Sequence, residues 1–452
     1  MDATVLSTAL PMIARDLAVE PIALKLALTS YLISLAVFIP ISGWVADRVG
    51  ARTTFASAIA VFIVGSLCCA VSRSLEAFVA ARFLQGVGGA MMVPVGRLVL
   101  LRSIPRSELV RALNTLTIPA LVGPVIGPPL GGFITTYFHW SWIFLINIPI
   151  GALGFWLALK FIPNLREADV PPLDRTGFVL SGIGLGATML GLATLWEHML
   201  SIGWSAGCVV VGVACLYGYL RHARRVAHPL LDLGLFRLAT FRAGVIGGAM
   251  FRVGQGALPF LLPLMLQIGF GMSPLDSGLL TFVSAVGALF MKTMASRILR
   301  HWGFRTVLVV NSVFASLTVA SCALFSAGTP HLVILAVLLF GGCLRSLQFT
   351  SLNAISYADV SQREMSQATS MASVAQQLAA SLGVTVGAYA LQASSWLRGG
   401  VVLQVPDFRI AFVVIGVIAM SSTLYFRRLP PDAGAELAGR VSAEAGQPTN
   451  LP

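Results

Sequence analysis

Six charged side chains stand clear of the ends of otherwise apolar stretches of this chain: one carboxylate, Asp2, and five cations, Arg82, Arg97, Arg252, Lys292 and Arg345. Charge inside an apolar, membrane-length run is costly, so such residues point to a pathway for ions or a charged ligand. Asp2 lies about eleven residues from the far end of its run, which as a helix puts it ~16 Å deep. A carboxylate there can take up and release a proton as water reaches it from one side or the other. Arg82, one to two turns inside a run of its own, is the natural counter-ion. Two plainer readings stay open: Asp2 as part of a frayed terminus in water, and Arg82 reaching outward along its stem. Lys292 lies five residues from Arg297, so it is expected to snorkel to the surface. The polar residues Gln85, Asn114, Gln348 and Asn353 either line a cavity or hold helices together.

The elements that must position these groups are membrane spans. Of 452 residues, 57% are apolar and 11% charged, with mean hydropathy +0.86, against roughly 25% charge in soluble domains. Thirteen apolar runs are long enough to cross a bilayer: 24–45, 54–71, 76–101, 111–134, 141–161, 176–196, 203–220, 240–268, 274–296, 304–326, 331–357, 365–393 and 408–426. Met1–Ile13 is a short fourteenth, covering ~20 Å. Because the chain opens about halfway through this first span, the functional protein is expected to begin upstream of Met1. With Met1–Ile13 as span 1, loops after even spans, with the tail, carry twenty Lys and Arg, and loops after odd spans five. Even loops and the C-terminus are therefore cytoplasmic. The net charge of +12 is scattered through these loops, which argues against nucleic acid as a partner.

The segment Ala120–Gly132, ALVGPVIGPPLGG, sets glycines four apart amid prolines. On a helix that gives a bent span with one bare face, suited to close packing between bundles. An internal echo also shows: GWVADRVGARTTF at 43–55 and MASRILRHWGFRTVL at 294–308 both place basic residues about Gly-x-Arg. They fall at equivalent places if two six-span halves flank two extra spans, the parallel repeat of many carriers. The six cysteines sit in apolar runs without CxxC spacing and the six histidines lack metal-ligand spacing, so no metal or cofactor is expected.

At these residues the chain resembles the major facilitator superfamily, specifically the fourteen-span drug:proton antiporters of EmrB/QacA type. Asp2 to Thr4 with Ala9-Leu10-Pro11 is similar to the family's acidic first-span motif. Gly43, Asp47, Arg48, Gly50 and Arg52 match its loop 2–3 motif, and Arg82, Gln85, Gly86, Gly88 and Ala90 its fourth-span motif. Gly123, Pro124, Gly127, Pro128, Gly131 and Gly132 match the fifth-span antiporter motif. Trp142-Ile143-Phe144, Asn147, Pro149 and Gly151 fit the sixth span, and Pro259, Gln267, Gly271, Ser273 and Pro274 the second half. The second-half loop departs from the pattern, with Ser296-Arg297 where the first half has Asp47-Arg48.

The resemblance implies an all-α polytopic fold of fourteen spans, the first truncated. Its parts are a six-span half at 1–161, a linker with two extra spans at 162–239, a second half at 240–428, and a disordered cytoplasmic tail at 429–452. It implies a proton-coupled exporter of multidrug type in a bacterial inner membrane, working by alternating access. Asp2 and Arg82 would couple the proton and the Asp47 loop would act as a conformational latch, capping a helix N-terminus in one state. The implied partners are the lipid bilayer, protons, a small-molecule substrate, a periplasmic adaptor and an outer-membrane channel. No lysine (Lys25, Lys160, Lys292) follows a glycine, so an ATP-driven pump is excluded for want of a phosphate loop. No clustered nucleophile, base or metal set suggests an enzyme. A non-transporting sensor or scaffold built on a carrier fold stays open.

The charges qualify the multidrug expectation. In such carriers spans 1, 4, 9 and 12 line the cavity, and Asp2, Arg82, Arg97, Arg252 and Arg345 all fall on them. Arg252 and Arg345 lie mid-span with no second-half carboxylate to match, so an anionic substrate, such as a di- or tricarboxylate or its metal chelate, is the alternative.

Overall fold

A computed structural model describes residues 12–438 except 14, 18, 20–23, 106–107, 114, 117–132, 135–136, 198–200, 273 and 400–402. The described residues are helical and contain no strand. Twelve membrane-length segments lie among them. The first is a pair, α1 (Lys25–Phe38) and α2 (Ser42–Val49), bent by 57°. Pro40 at the bend has no N–H to offer the Ala36 carbonyl, and the Ile39 carbonyl beside it accepts from Ser42 N at 3.1 Å and from Ser42 Oγ at 2.7 Å. Then come α3 (Ala51–Val71), α4 (Leu75–Ser103), α5 (Trp142–Phe161), α6 (Arg175–Glu197) and α7 (Ile202–Ala223). The second series is α8 (Ala239–Gly269), α9 (Pro274–Trp302), α10 (Phe304–Leu324), α11 (His331–Ile355), α12 (Met365–Leu397) and α13 (Val405–Phe426). These match the expected spans 2–4 and 6–14; span 1 and most of span 5 lie outside the described residues.

The chain forms two compact units. The first comprises Met1–Ser103, Ala120–Leu233 and Gln362–Leu378; the second Ile104–Pro119, Gly234–Ser361 and Ala379–Pro452. The extra pair α6 and α7 packs within the first unit, where Ser205 Oγ donates to Thr194 Oγ1 at 2.9 Å between the two helices. That unit's aromatic core is Phe78, Trp140 and Phe144, edge to face at 5.6 to 6.2 Å. The second unit buries Leu261, Met265, Leu338, Phe408 and Phe412 in one apolar core.

The sequence echo has a structural counterpart. Gly50 ends α2 with φ 105° and Gly303 ends α9 with φ 77°, and each hands the chain directly to the next helix. A side chain is strained at such angles, so glycine is what lets two spans join without a loop. Inside the second unit α9 and α11 run backbone to backbone: a Cβ at Gly342 would collide with the Ser284 carbonyl. Hydroxyls and a thiol stitch the same seam, Ser346 Oγ to Ala288 O at 2.8 Å and Cys343 Sγ to Gly287 O at 3.2 Å. Past Arg428 the tail opens with packed turns rather than free chain: Leu429, Leu437 and Ala438 are buried.

Candidate functional site

In the first unit the loop motif is a charged clasp. Asp47, at the end of α2, accepts from Arg102 Nη1 at 2.9 Å and from Ser366 Oγ in the first turn of α12. Arg102, on the last turn of α4, also pairs with Glu167 at 3.1 Å and donates to the Gln362 carbonyl at 3.2 Å. Gly43 N donates to Ser370 Oγ at 3.0 Å, and a Cβ at Gly43 would stand 2.6 Å from the Ser366 carbonyl. Glycine here lets the α2 backbone touch the start of α12. Of the motif's own arginines, Arg48 is exposed and Arg52 half-buried; the cation on Asp47 is Arg102, from fifty-five residues on. Arg102, Glu167, Ser366 and Ser370 were not legible as site residues, since nothing local marks one loop cation or serine above another.

The segment between α5 and α6 straps this clasp down. Ala51 N donates to Leu165 O at 2.8 Å, Glu167 N to Asp47 O at 3.2 Å and Trp44 Nε1 to Pro171 O at 2.9 Å. Asn164 Oδ1 lies against Gly50, closing the space a side chain there would need. A cavity of about 590 Å³ opens beside it, lined among others by Trp44, Asp47, Glu167, Asp169, Arg363 and Ser366.

Deeper in the first unit Arg82 is fully buried on α4. It has not snorkelled. Its guanidinium donates to Gln85 Oε1, lies 4.5 Å from the centre of the Tyr31 ring and 6.0 Å from that of Phe144. Gln85 Nε2 donates to Ser66 Oγ at 2.7 Å, and Asn147 Nδ2 reaches the same hydroxyl at 3.3 Å. The geometry therefore joins Arg82 and Gln85, which the sequence singled out, to Tyr31 and Ser66, which it did not. Arg97 is half-buried farther along α4. Asp2, Asn114, Gly123, Pro124, Gly127, Pro128, Gly131 and Gly132 lie outside the described residues.

The second unit holds the other cations. Arg252 Nη2, on α8, donates to Asn353 Oδ1 of α11 at 3.0 Å and stacks 5.5 Å from the Phe349 ring centre. Arg345, on α11, donates to Ser284 Oγ of α9 at 2.8 Å. Lys292 corrects the snorkelling expectation: it is 6% exposed, and its Nζ donates to Thr350 Oγ1 at 2.7 Å. The hydroxyl on the facing helix α11 holds the ammonium inside the α9–α11 contact. Gln348 is fully buried and faces α10, where it accepts from Asn311 Nδ2 at 2.8 Å and donates to Leu308 O at 3.2 Å. Its bonds join two helices. The carboxylates on this unit's described spans, Asp276 and Asp407, stand in the first turns of α9 and α13, away from mid-span.

Comparison with known proteins places this arrangement. The model of the Major Facilitator Superfamily matches residues 1–384 and 244–447. The putative multidrug resistance protein MdtD of Serratia proteamaculans is 37% identical over 436 residues, 96% of this chain and 91% of that protein. That of Klebsiella pneumoniae is 38% identical over 452 residues, 99% of this chain and 95% of that protein. Among solved structures the proton:xylose symporter XylE aligns with TM-score 0.66 at 14% identity, over 97% of this chain and 94% of its own. The human organic anion transporter MFSD10 aligns with TM-score 0.65 at 15% identity, over 92% and 88%. At such identities these two attest the fold. With twelve membrane-length segments among the described residues, two compact units, a glycine-turned loop repeated in each and a family model matched along nearly its whole length, this chain belongs to the major facilitator superfamily, as a non-enzymatic, multi-pass transporter of the bacterial inner membrane.

Proposed function

We propose that the protein is a proton-coupled exporter of small molecules, of multidrug-efflux type, that works by alternating access with its C-terminus in the cytoplasm. The carrying observation is the burial of Arg82 on α4, a cation held by Gln85 and the Tyr31 ring inside a membrane span. A buried guanidinium of this kind biases the proton affinity of a carboxylate that approaches it, and Asp2 is the candidate. The clasp of Asp47, Arg102, Glu167 and Ser366 is the latch: closed in one state, released in the other, with substrate and proton shifting the balance. The relatives' printed role in multidrug resistance supports the export direction. The test is transport in proteoliposomes under an imposed pH gradient, with a panel of drugs and metabolites. Asp2→Asn is expected to abolish pH-driven transport while leaving substrate exchange largely intact, because the amide mimics the protonated acid. Normal pH-driven transport by that variant would move coupling elsewhere, and no transport of any compound would favour a sensor or scaffold.

A specific observation favours a second reading, that the substrate is an organic anion such as a di- or tricarboxylate or its metal chelate. Arg252, Lys292 and Arg345 lie inside the spans of the second unit, where the described carboxylates stand only in first helical turns. A bound anion relieves buried guanidinium and ammonium groups, and guanidinium grips carboxylate two bonds at a time. Arg252→Gln and Arg345→Gln should each cut export of an anionic substrate while expression holds. Export of cationic dyes alone would rule this reading out.

A further inference from the structure

The first unit carries an apolar groove of about 570 Å³ between α1 and α6. Ile33 and Val37 wall it on one side, Phe178, Ile183 and Leu190 on the other, and every residue that lines it is apolar. Gly182 and Gly186 lie among them. A Cβ at Gly186 would stand 3.2 Å from Val37 and 3.4 Å from Ile33, so glycine lets α1 come close while leaving the groove its depth. From Phe178 to Leu190 the groove follows ~18 Å of helix rise. That is about one leaflet of a ~30 Å hydrocarbon core, and a partner helix would cross both leaflets.

One end of the groove is charged. Its α6 residues recur every three or four positions, and Arg175 continues that face one turn beyond Phe178. Arg175 is exposed. The carboxylate next to it in sequence, Asp174, is engaged elsewhere: it accepts from Gly177 N at 2.7 Å and from His222 Nε2 at 2.8 Å. The His222 contact sets the end of α7 beside the start of α6, and with it the exposed Arg221, Arg224 and Arg225.

We propose that this groove binds one anionic phospholipid, with an acyl chain between α1 and α6 and the phosphate at Arg175. The site is independent of what the protein carries. A guanidinium takes a phosphate through two parallel N–H bonds. The arginines at the end of α7 add a positive field there, which favours a headgroup of net negative charge over a zwitterionic one. The apolar walls hold the chain over the depth of one leaflet, so a phosphate without a chain gains only part of the contact. A lipid seated this way bridges the extra pair to α1, the helix that leads through Pro40 into the Asp47 clasp.

The test is native mass spectrometry of the full-length protein in mild detergent, titrated with dioleoyl phosphatidylglycerol or dioleoyl phosphatidylcholine. The two lipids share their chains and differ in headgroup charge. The wild type should bind its first phosphatidylglycerol about tenfold or more tighter than its first phosphatidylcholine. One arginine near an anionic headgroup is worth about fivefold, so Arg175→Gln should lower that ratio about fivefold. Arg428→Gln, at an exposed arginine of the second unit, should leave it unchanged. Ala187→Phe, which fills the groove, should weaken the first binding event for both lipids, and Ala187→Leu serves if the phenylalanine variant fails to fold. Equal binding of the two lipids by the wild type overturns the proposal, as does a ratio that survives Arg175→Gln or falls equally in Arg428→Gln. Lipid binding untouched by the groove-filling variants overturns it too. Displacement of phosphatidylglycerol by equimolar glycerol 3-phosphate would make the site one for soluble phosphates. A dimer that Ala187→Phe splits would give the groove to a second copy of the chain, and either result overturns the lipid assignment.

Discussion

Replacing Asp47 by Asn tests the clasp with little change of shape. The carboxylate stands 2.9 Å from Arg102, with the two side chains 13% and 7% exposed, so solvent screens the pair weakly. Exposed ion pairs contribute about 0–1 kcal/mol, whereas breaking a fully buried one costs about 3–5 kcal/mol. Here two features moderate the loss. Glu167 still holds the far side of Arg102 at 3.1 Å, and an asparagine oxygen can still accept from Ser366. The net expectation is about 1–3 kcal/mol, a shift of roughly 5- to 150-fold in the equilibrium between clasped and open forms. Spin labels at Val49 and Gln362, both exposed, would report the separation of the α2 end from the start of α12 by pulsed EPR in nanodiscs. The short-distance population should fall in Asp47→Asn, fall similarly in Arg102→Gln, and fall little further in the double variant, because both remove the same contact. An unchanged distance distribution in Asp47→Asn, or single effects that simply add, would refute the clasp as an energetic unit.

Two further outcomes follow from packing. A methyl at Gly212 would meet the Thr188 backbone nitrogen across the α6–α7 contact, so Gly212→Ala should lower the thermal unfolding midpoint, at a cost of about 1–3 kcal/mol, with substrate preference unaltered. Gln348→Leu removes one of the two acceptors of Asn311 Nδ2, which keeps the Leu344 carbonyl, and the bond to Leu308 O; it should cost about 1–3 kcal/mol in stability yet leave the ranking of transported compounds unchanged, and a changed ranking would return Gln348 to the substrate path.

The sequence by itself determined the class, the positions of the twelve described spans and the places where two of them turn. Those follow from one-dimensional rules: ~20 apolar residues cross a bilayer, cations gather on one side, and a glycine is needed where one helix joins the next at positive φ, as at Gly50 and Gly303. Arg82 and Gln85 were legible because a charge and an amide three residues apart in an apolar run share a helix face. What the tertiary structure decided are the pairings between distant segments. Asp47 takes its cation from Arg102 rather than from neighbouring Arg48 or Arg52, because the strap at 164–171 and the first turn of α12 together fix which guanidinium fits. Lys292 read as a surface-seeking lysine because its distance to the helix end allowed it. Its fate turned instead on the neighbouring helix α11, whose Thr350 offers Nζ an acceptor at 2.7 Å within the buried α9–α11 contact. Chain spacing sets how far a side chain can reach, but only the packed neighbour sets where it can go.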